Sequence, residues 1–231
     1  MTPAERRPYR RETEESRRDA LISAALELVA EGGAQAATVR AIAGRAGVTP
    51  GLIRHYFASK DELTRAAYRT LMHRMTTKSA DAVTAAPDCP LCRLGLFILV
   101  SLRPPVMDPA GVGLWAGFLH GVRRDDAMRE VHKQNYHEYR DMLQALIAAL
   151  PRAANPAQLR EAAIACNGVI DGLWLEGSVL PESFAPGEME RIGIAAVGAI
   201  LGVDLAGAMA RIPPETEQNG AQPSVENGEL Q

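Results

Sequence analysis

Little in this sequence supports a secreted, membrane-embedded or catalytic protein. Only three cysteines occur in 231 residues, too few for a disulfide framework, and free thiols in a reducing cytoplasm are expected. Aromatic residues make up just 5%, and no stretch alternates β-branched and polar residues strictly enough to form a strand. The longest run of apolar residues plus glycine, Ile192 to Val203, falls short of the roughly 20 residues of a membrane-spanning helix. The N-terminus has no early apolar core: Arg6, Arg7, Arg10, Arg11, Arg17 and Arg18 are interspersed there with acids, unlike a signal peptide. No phosphate-binding glycine loop, nucleophile elbow or paired metal-ligand motif is present, so no enzyme activity, cofactor or metal is expected.

What the chain does have is an ordinary globular composition, 47% hydrophobic and 23% charged, long enough for one or two units with a substantial core. Its net charge of -3 hides an asymmetry. Residues 1–80 hold 14 Lys+Arg against 9 Asp+Glu, whereas residues 81–231 hold 11 against 19. A basic end on an acidic body suits a molecule that meets a polyanion at one end.

Nearly all the rest reads as helix, giving an all-α expectation of about nine helices. Leu21, Ile22, Ala25, Leu28 and Val29 share a face before Gly32-Gly33 stops the first helix. Thr38 can cap a short helix to about Ala46, and Lys60 begins one reaching about Ala80. Prolines 87, 90, 104, 105 and 109 punctuate the next region, and further helices follow near 91–102, 112–123, 125–150, 156–179 and 186–205. The expected organisation is a basic flexible arm over 1–14, a three-helix helix-turn-helix domain over 15–80, a helical bundle for ligand binding and dimerisation over 81–211, and a disordered Pro/Glu/Gln/Asn/Gly-rich tail over 212–231.

The segment Thr38 to Phe57, TVRAIAGRAGVTPGLIRHYF, is the most informative. Val39, Ile42, Ala43 and Ala46 give one short helix an apolar face, Gly47 suits a left-handed turn, and Val48, Ile53 and Phe57 anchor a second helix. In a helix-turn-helix the start of the second helix enters the major groove, which puts Thr49, Pro50, Gly51, Leu52, Arg54 and His55 outward. Arg54 suits bidentate pairing with guanine O6 and N7. Gly51 permits close backbone approach, while Arg40, Tyr56 and Lys60 are placed for phosphates, Lys60 together with the free N–H groups of the next helix. The competing reading is a purely structural αα corner with a solvated Arg54 and a packing His55.

At these residues the sequence resembles the DNA-binding domain of the TetR family of bacterial transcriptional regulators. The stretches LISAALELVAEGG, TVRAIAGRAGV and TPGLIRHYFASKDEL carry the likeness. It implies a homodimer on a palindromic double-stranded DNA operator, usually a repressor released by a small-molecule effector, with DNA contact at Arg40, Thr49, Pro50, Gly51, Arg54, Tyr56 and Lys60. The second half, through LWAGFLHGVRRDDAMREVHKQNYHEYRDMLQALIAALP and IDGLWLEGSV, resembles the regulatory domain of the BetI-type, choline-responsive branch. Leu119 stands where that branch would carry a second tryptophan.

The residues give their own view of a ligand site. Asn167, Asp171, Trp174 and Ser178 fall on one side of a helix. A carboxylate beside an indole can hold a cation such as a quaternary ammonium, the ring face attracting it and the carboxylate balancing its charge. Trp115, Phe118, Tyr136 and Tyr139 are expected as further walls. Plain core packing or a dimer seam is the alternative for these residues. Small residues Ala162, Ala163 and Cys166 with Ile170, and Gly198 with Gly202, point to a four-helix dimer interface built from the last two helices. Cys89 and Cys92 form a C-x-x-C at a helix start, where a thiol is activated. A helical small-molecule-binding or thiol/redox-sensing protein with an idle helix-turn-helix is therefore the alternative function, whereas structural zinc would need ligands from His120, His132 or His137.

Overall fold

The structure, a computed structural model, describes residues 14–107 and 109–212. The basic arm before residue 14 and the tail after residue 212 lie outside them. Among the described residues there are ten α-helices and no strand: α1 (Glu14–Ala36), α2 (Val39–Arg45), α3 (Pro50–Tyr56), α4 (Lys60–Ala85), α5 (Pro90–Ser101), α6 (Pro109–Val122), α7 (Asp126–Ala148), α8 (Pro156–Val179), α9 (Glu188–Leu201) and α10 (Leu205–Ala210). No helix among them is long and apolar enough to cross a membrane.

Local chemistry explains most of the boundaries. Gly32 (φ -147°) and Gly33 (φ 70°) break α1 at the expected place. The Thr38 hydroxyl accepts the Ala41 N–H and Ser59 that of Glu62, opening α2 and α4. Asn155 and Gln158 close a reciprocal capping box on α8, which begins at Pro156. Two boundaries differ from the sequence reading. Helix α4 runs on to Ala85, across the expected domain limit at 80. The expected last helix ends early, because Gly202 caps α9 in the left-handed region (φ 66°), and Asp204 then opens α10 by accepting the Gly207 N–H.

Two cores result. In the first, Leu21, Ile22, Ile42, Ile53, Phe57, Leu63 and Tyr68 tie α1 to α4 together, and Leu114 and Phe118 of α6 with Met128 and Val131 of α7 close it from the other side. Each such large apolar side chain contributes about 1.5–3 kcal/mol on burial. The second joins α5, α7, α8, α9 and α10 through Phe97, Leu143, Ile147, Ile170, Val197 and Leu205. Helix α4 belongs to both halves, packing on α1 at one end and on α5 and α7 beyond it.

Candidate nucleic-acid interface and ligand cavity

The turn between α2 and α3 has the geometry its residues call for. Gly47 takes φ 67°, its N–H bonds the Gly44 carbonyl at 3.2 Å, and Val48 N–H reaches the Ala43 carbonyl at 2.9 Å. Ala43, Ile53 and Phe57 are buried at 1–2% exposure, so α3 is held from behind. Arg45 secures α2 to α1 through Glu31 (2.7 Å) and Glu27 (3.1 Å).

On the outer side, Arg40, Thr49, Pro50, Gly51, Arg54 and His55 are exposed, and Leu52, Tyr56 and Lys60 are half-buried. Thr49 caps α3 by backbone only and Pro50 takes its first turn. A Cβ built at Gly51 would meet nothing within 4 Å, which leaves this stretch of backbone open to close approach. Neither Arg40, Arg54 nor Lys60 has an ion-pair partner among the described residues. His55 packs edge-on against Tyr56, ring centroids 5.1 Å apart. The anion site expected at the start of α4 is reduced. Ser59 takes the Glu62 N–H, the Glu62 carboxylate takes the Ala58 N–H at 2.7 Å, and Asp61 adds a second acid to the first turn.

Between α4, α5, α6, α7 and α8 lies a cavity of about 230 Å³. Six of the seven expected ligand residues, Trp115, Tyr136, Tyr139, Asn167, Asp171 and Trp174, line it. Phe118 does not: at 2% exposure it packs on Tyr68 in the first core, centroids 5.0 Å apart. Trp115 and Trp174 meet edge to face at 5.1 Å, and the Trp174 indole N–H donates to the Val106 carbonyl at 3.3 Å. Asn167 donates to the Asp171 carboxylate at 2.7 Å, and Ser101 links Tyr139, Ser79 and the Phe97 carbonyl.

Asp171 lines the cavity from a residue of α8 that keeps exposed surface, while the protein around its carboxyl strips away part of its hydration. Burial pushes its carboxyl up to about 6, and the Asn167 amide only partly offsets this. One carboxylate, bonded to Asn167, and two indoles thus line the same cavity. On α7, desolvation holds His132, another lining residue, below the usual histidine value.

Sequence reasoning missed Met72, Met75 and Thr76 of α4, His132 and Asn135 of α7, and Ser101, Val106 and Ile170. On α7 the signal was present, since His132, Asn135, Tyr136 and Tyr139 repeat at helical spacing. On α4, the phase of Tyr68 and Leu71 carries forward to Met72, Met75 and Thr76. One further contact joins the two regions: the Tyr68 hydroxyl, in the helix-turn-helix core, hydrogen-bonds His132 Nδ1 at 2.7 Å, and the rings are nearly parallel.

Comparison with known proteins covers both halves. Residues 21–67 match the family model described as bacterial regulatory proteins of the tetR family, and residues 90–202 match that of the BetI-type transcriptional repressor C-terminal domain. The chain belongs to the TetR family, in its BetI-type branch. The HTH-type transcriptional regulator BetI of Rhizobium meliloti is 33% identical over 71% of this chain and 78% of its own. That of Burkholderia thailandensis is 30% identical over 71% and 83%. A crystal structure from Pseudomonas aeruginosa PAO1, described as a transcriptional regulator, superposes with a TM-score of 0.75 at 33% identity, covering 87% of this chain and 96% of that one. The family is a non-enzymatic class whose members bind operator DNA and small-molecule effectors and act as dimers. Membership sets aside the purely structural corner and the idle helix-turn-helix.

Proposed function

We propose that this regulator is a repressor released from a palindromic operator when a compact organic cation, of the quaternary ammonium class to which choline belongs, fills the cavity. The observation that carries the reading is the double use of α4. Leu63, Ala67 and Tyr68 build the helix-turn-helix core, and within two further turns Met72, Met75 and Thr76 wall the cavity, so a ligand there presses on the helix that carries the DNA-binding core. The charge and size of the site select the ligand class. Asp171 supplies the negative charge, and Trp115, Trp174, Tyr136 and Tyr139 supply aromatic faces. A volume of about 230 Å³ is below the roughly 300–1,000 Å³ of drug-sized ligand pockets. A long acyl thioester does not suit it, although a Bacillus subtilis FadR solved with stearoyl-CoA shares the fold at 17% identity and TM-score 0.61.

On the DNA side, Arg54 reads a base edge with Thr49, Gly51 and Leu52 along the groove, while Arg40, Pro50, His55, Tyr56 and Lys60 follow the backbone. Arg54→Ala is expected to cost about 1–3 kcal/mol of discrimination between operator and altered half-sites. Lys60→Ala should weaken all sequences alike and flatten the salt dependence by about one unit of slope. Both effects are measured by fluorescence anisotropy across a salt series. Equal loss on operator and random DNA for Arg54→Ala would remove it from base readout.

The dimer forms through α8 and α9, with Ala162 half-buried and Gly202 exposed but most of the other small residues first singled out turned inward. Ala163, Cys166 and Ile170 are buried in the subunit's own core, Gly198 lies against Val203 and Leu205, and Gly202 caps α9. What faces outward is a different stripe: Ile164, Leu175, Val179 and Leu180, with Ile192 and Ile200 beside them, are the exposed large hydrophobic residues of the described chain. All lie on α8, α9 or the residue after α8. Such clustering marks an interface. Val179→Asp together with Ile192→Asp is expected to give a monomer in sedimentation at micromolar concentration, while the wild type sediments as a dimer.

A further inference from the structure

The C-x-x-C pair belongs to neither the DNA face nor the cavity, and its surroundings give it chemistry of its own. Cys89 is the N-cap of α5, with Pro90 behind it, and its Sγ accepts the Cys92 backbone N–H at 3.3 Å. Cys89 is half-buried and Cys92 buried at 8% exposure, so one thiol meets solvent while the other waits one helical turn inside. The neighbouring Cys92 thiol, the backbone N–H groups of the first turn and the Arg211 charge hold Cys89 below the usual thiol range, while Cys92 is held above it. Arg211 follows α10, which packs against α5. The acid that precedes Cys89 in the chain, Asp88, is paired with Arg93 at 3.2 Å. The third cysteine contrasts in every respect: Cys166 is fully buried and burial pushes its thiol up to about 11.

We propose that Cys89 and Cys92 form a thiol–disulfide exchange site whose substrate is a small disulfide arriving from solvent. The Cys89 thiolate attacks one sulfur of the disulfide, forming a mixed disulfide and expelling the first small thiolate, which takes up the proton Cys89 gave up. Cys92 then loses its proton and attacks Cys89 Sγ, expelling the second thiolate, which is protonated in turn. The balance is two protein thiols and one disulfide converted to one protein disulfide and two small thiols. Excess small thiol reverses it. Residues one turn apart at a helix start meet the Cα separation a disulfide needs, and low-pKa accessible thiols beside a resolving cysteine are the ones that exchange.

The test uses the full chain with glutathione disulfide at neutral pH, followed by peptide mass mapping. Wild type is expected to carry an intrachain Cys89–Cys92 disulfide that dithiothreitol reverses. Cys92→Ser should accumulate glutathione on Cys89, Cys89→Ser should leave Cys92 reduced, and Cys166 should stay reduced throughout. In native wild type, iodoacetamide should label Cys89 more than about tenfold faster than Cys166. Wild type bearing glutathione without the intrachain bond, unreactive Cys89, or Cys92 modified equally fast in Cys89→Ser would each overturn the proposal.

Discussion

Asp171→Asn is expected to weaken binding of choline or a similar quaternary ammonium by roughly ten- to a hundredfold, because an interaction with a charged group in a poorly solvated site contributes about 1.5–3 kcal/mol. The side chain keeps its shape and its contact with Asn167, so operator affinity without ligand should stay unchanged. Trp115 and Trp174, touching each other in the cavity wall, make quenching of indole fluorescence the natural readout. The same carboxylate predicts a pH dependence. Its folded value is raised to about 6 from 3.8, so below pH 6 it is increasingly neutral and affinity for a permanently charged cation should fall. His132, another lining residue, is held below the usual histidine value by desolvation and gains positive charge later on the same descent, acting in the same direction, while burial holds the Tyr139 hydroxyl neutral. Stability follows the opposite course. Between 3.8 and about 6 the folded chain binds the proton more tightly than the unfolded one, so Asp171 costs stability increasingly as pH rises through that window. Asp171→Asn should therefore raise Tm at neutral pH and lose that advantage below pH 4. Equal affinity in both proteins, with a flat pH profile, would make Asp171 a structural rim residue.

Tyr68→Ala should be the most damaging single change in the molecule. It deletes a fully buried ring between Phe118 and His132, and an aromatic truncation of this kind costs about 3–5 kcal/mol, or roughly 10 °C in Tm for a chain of this size. Tyr68→Phe separates coupling from stability. It keeps the ring and removes only the hydroxyl that meets His132 Nδ1 at 2.7 Å. Operator binding and ligand binding, measured separately, should each stay within about threefold, while the ligand's effect on operator affinity falls by a larger factor. That loss of coupling is a change in the linkage free energy between two sites. Undiminished release by ligand in Tyr68→Phe would place the coupling in other contacts of α4, such as the Arg65–Asp125 ion pair at 3.1 Å.

The helix-turn-helix was readable from sequence because its signals are local. A capping threonine at 38, a glycine at 47 and anchors at 53 and 57 act within a few residues of themselves. The start of α8 at Pro156 was readable for the same reason, and the structure adds the Asn155–Gln158 capping box that fixes it. The break at Gly202 was equally local, with Asp204 two residues on as a cap, and was passed over inside an apolar run. Errors of another kind came from periodicity, which shows that a face is apolar but not which neighbour covers it. Phe118 shares a face with Trp115, yet α6 packs on α1 and on α8, so Phe118 is sealed inside the first core while Trp115 at its edge also lines the cavity. Ala163 and Cys166 of α8 and Gly198 of α9 turn inward for the same reason, and the outward stripe of Ile164, Leu175 and Val179 appears only once α5 and α7 occupy the other side. The α4 contribution to the cavity was hidden for the same reason: the helix was read to about residue 80, but not that α5 to α8 leave a space against Met72, Met75 and Thr76.

The central claim is that a compact cation in the α4–α8 cavity releases operator DNA, and a titration of the preformed complex tests it most directly. Fluorescence anisotropy of labelled operator bound to the wild-type regulator is followed at fixed salt while choline, or its uncharged carbon isostere, is added. Saturable release by the cation, with the isostere far weaker and Asp171→Asn unresponsive, is the predicted result. Release by both compounds alike, or by neither while indole quenching shows the cavity filled, would contradict it.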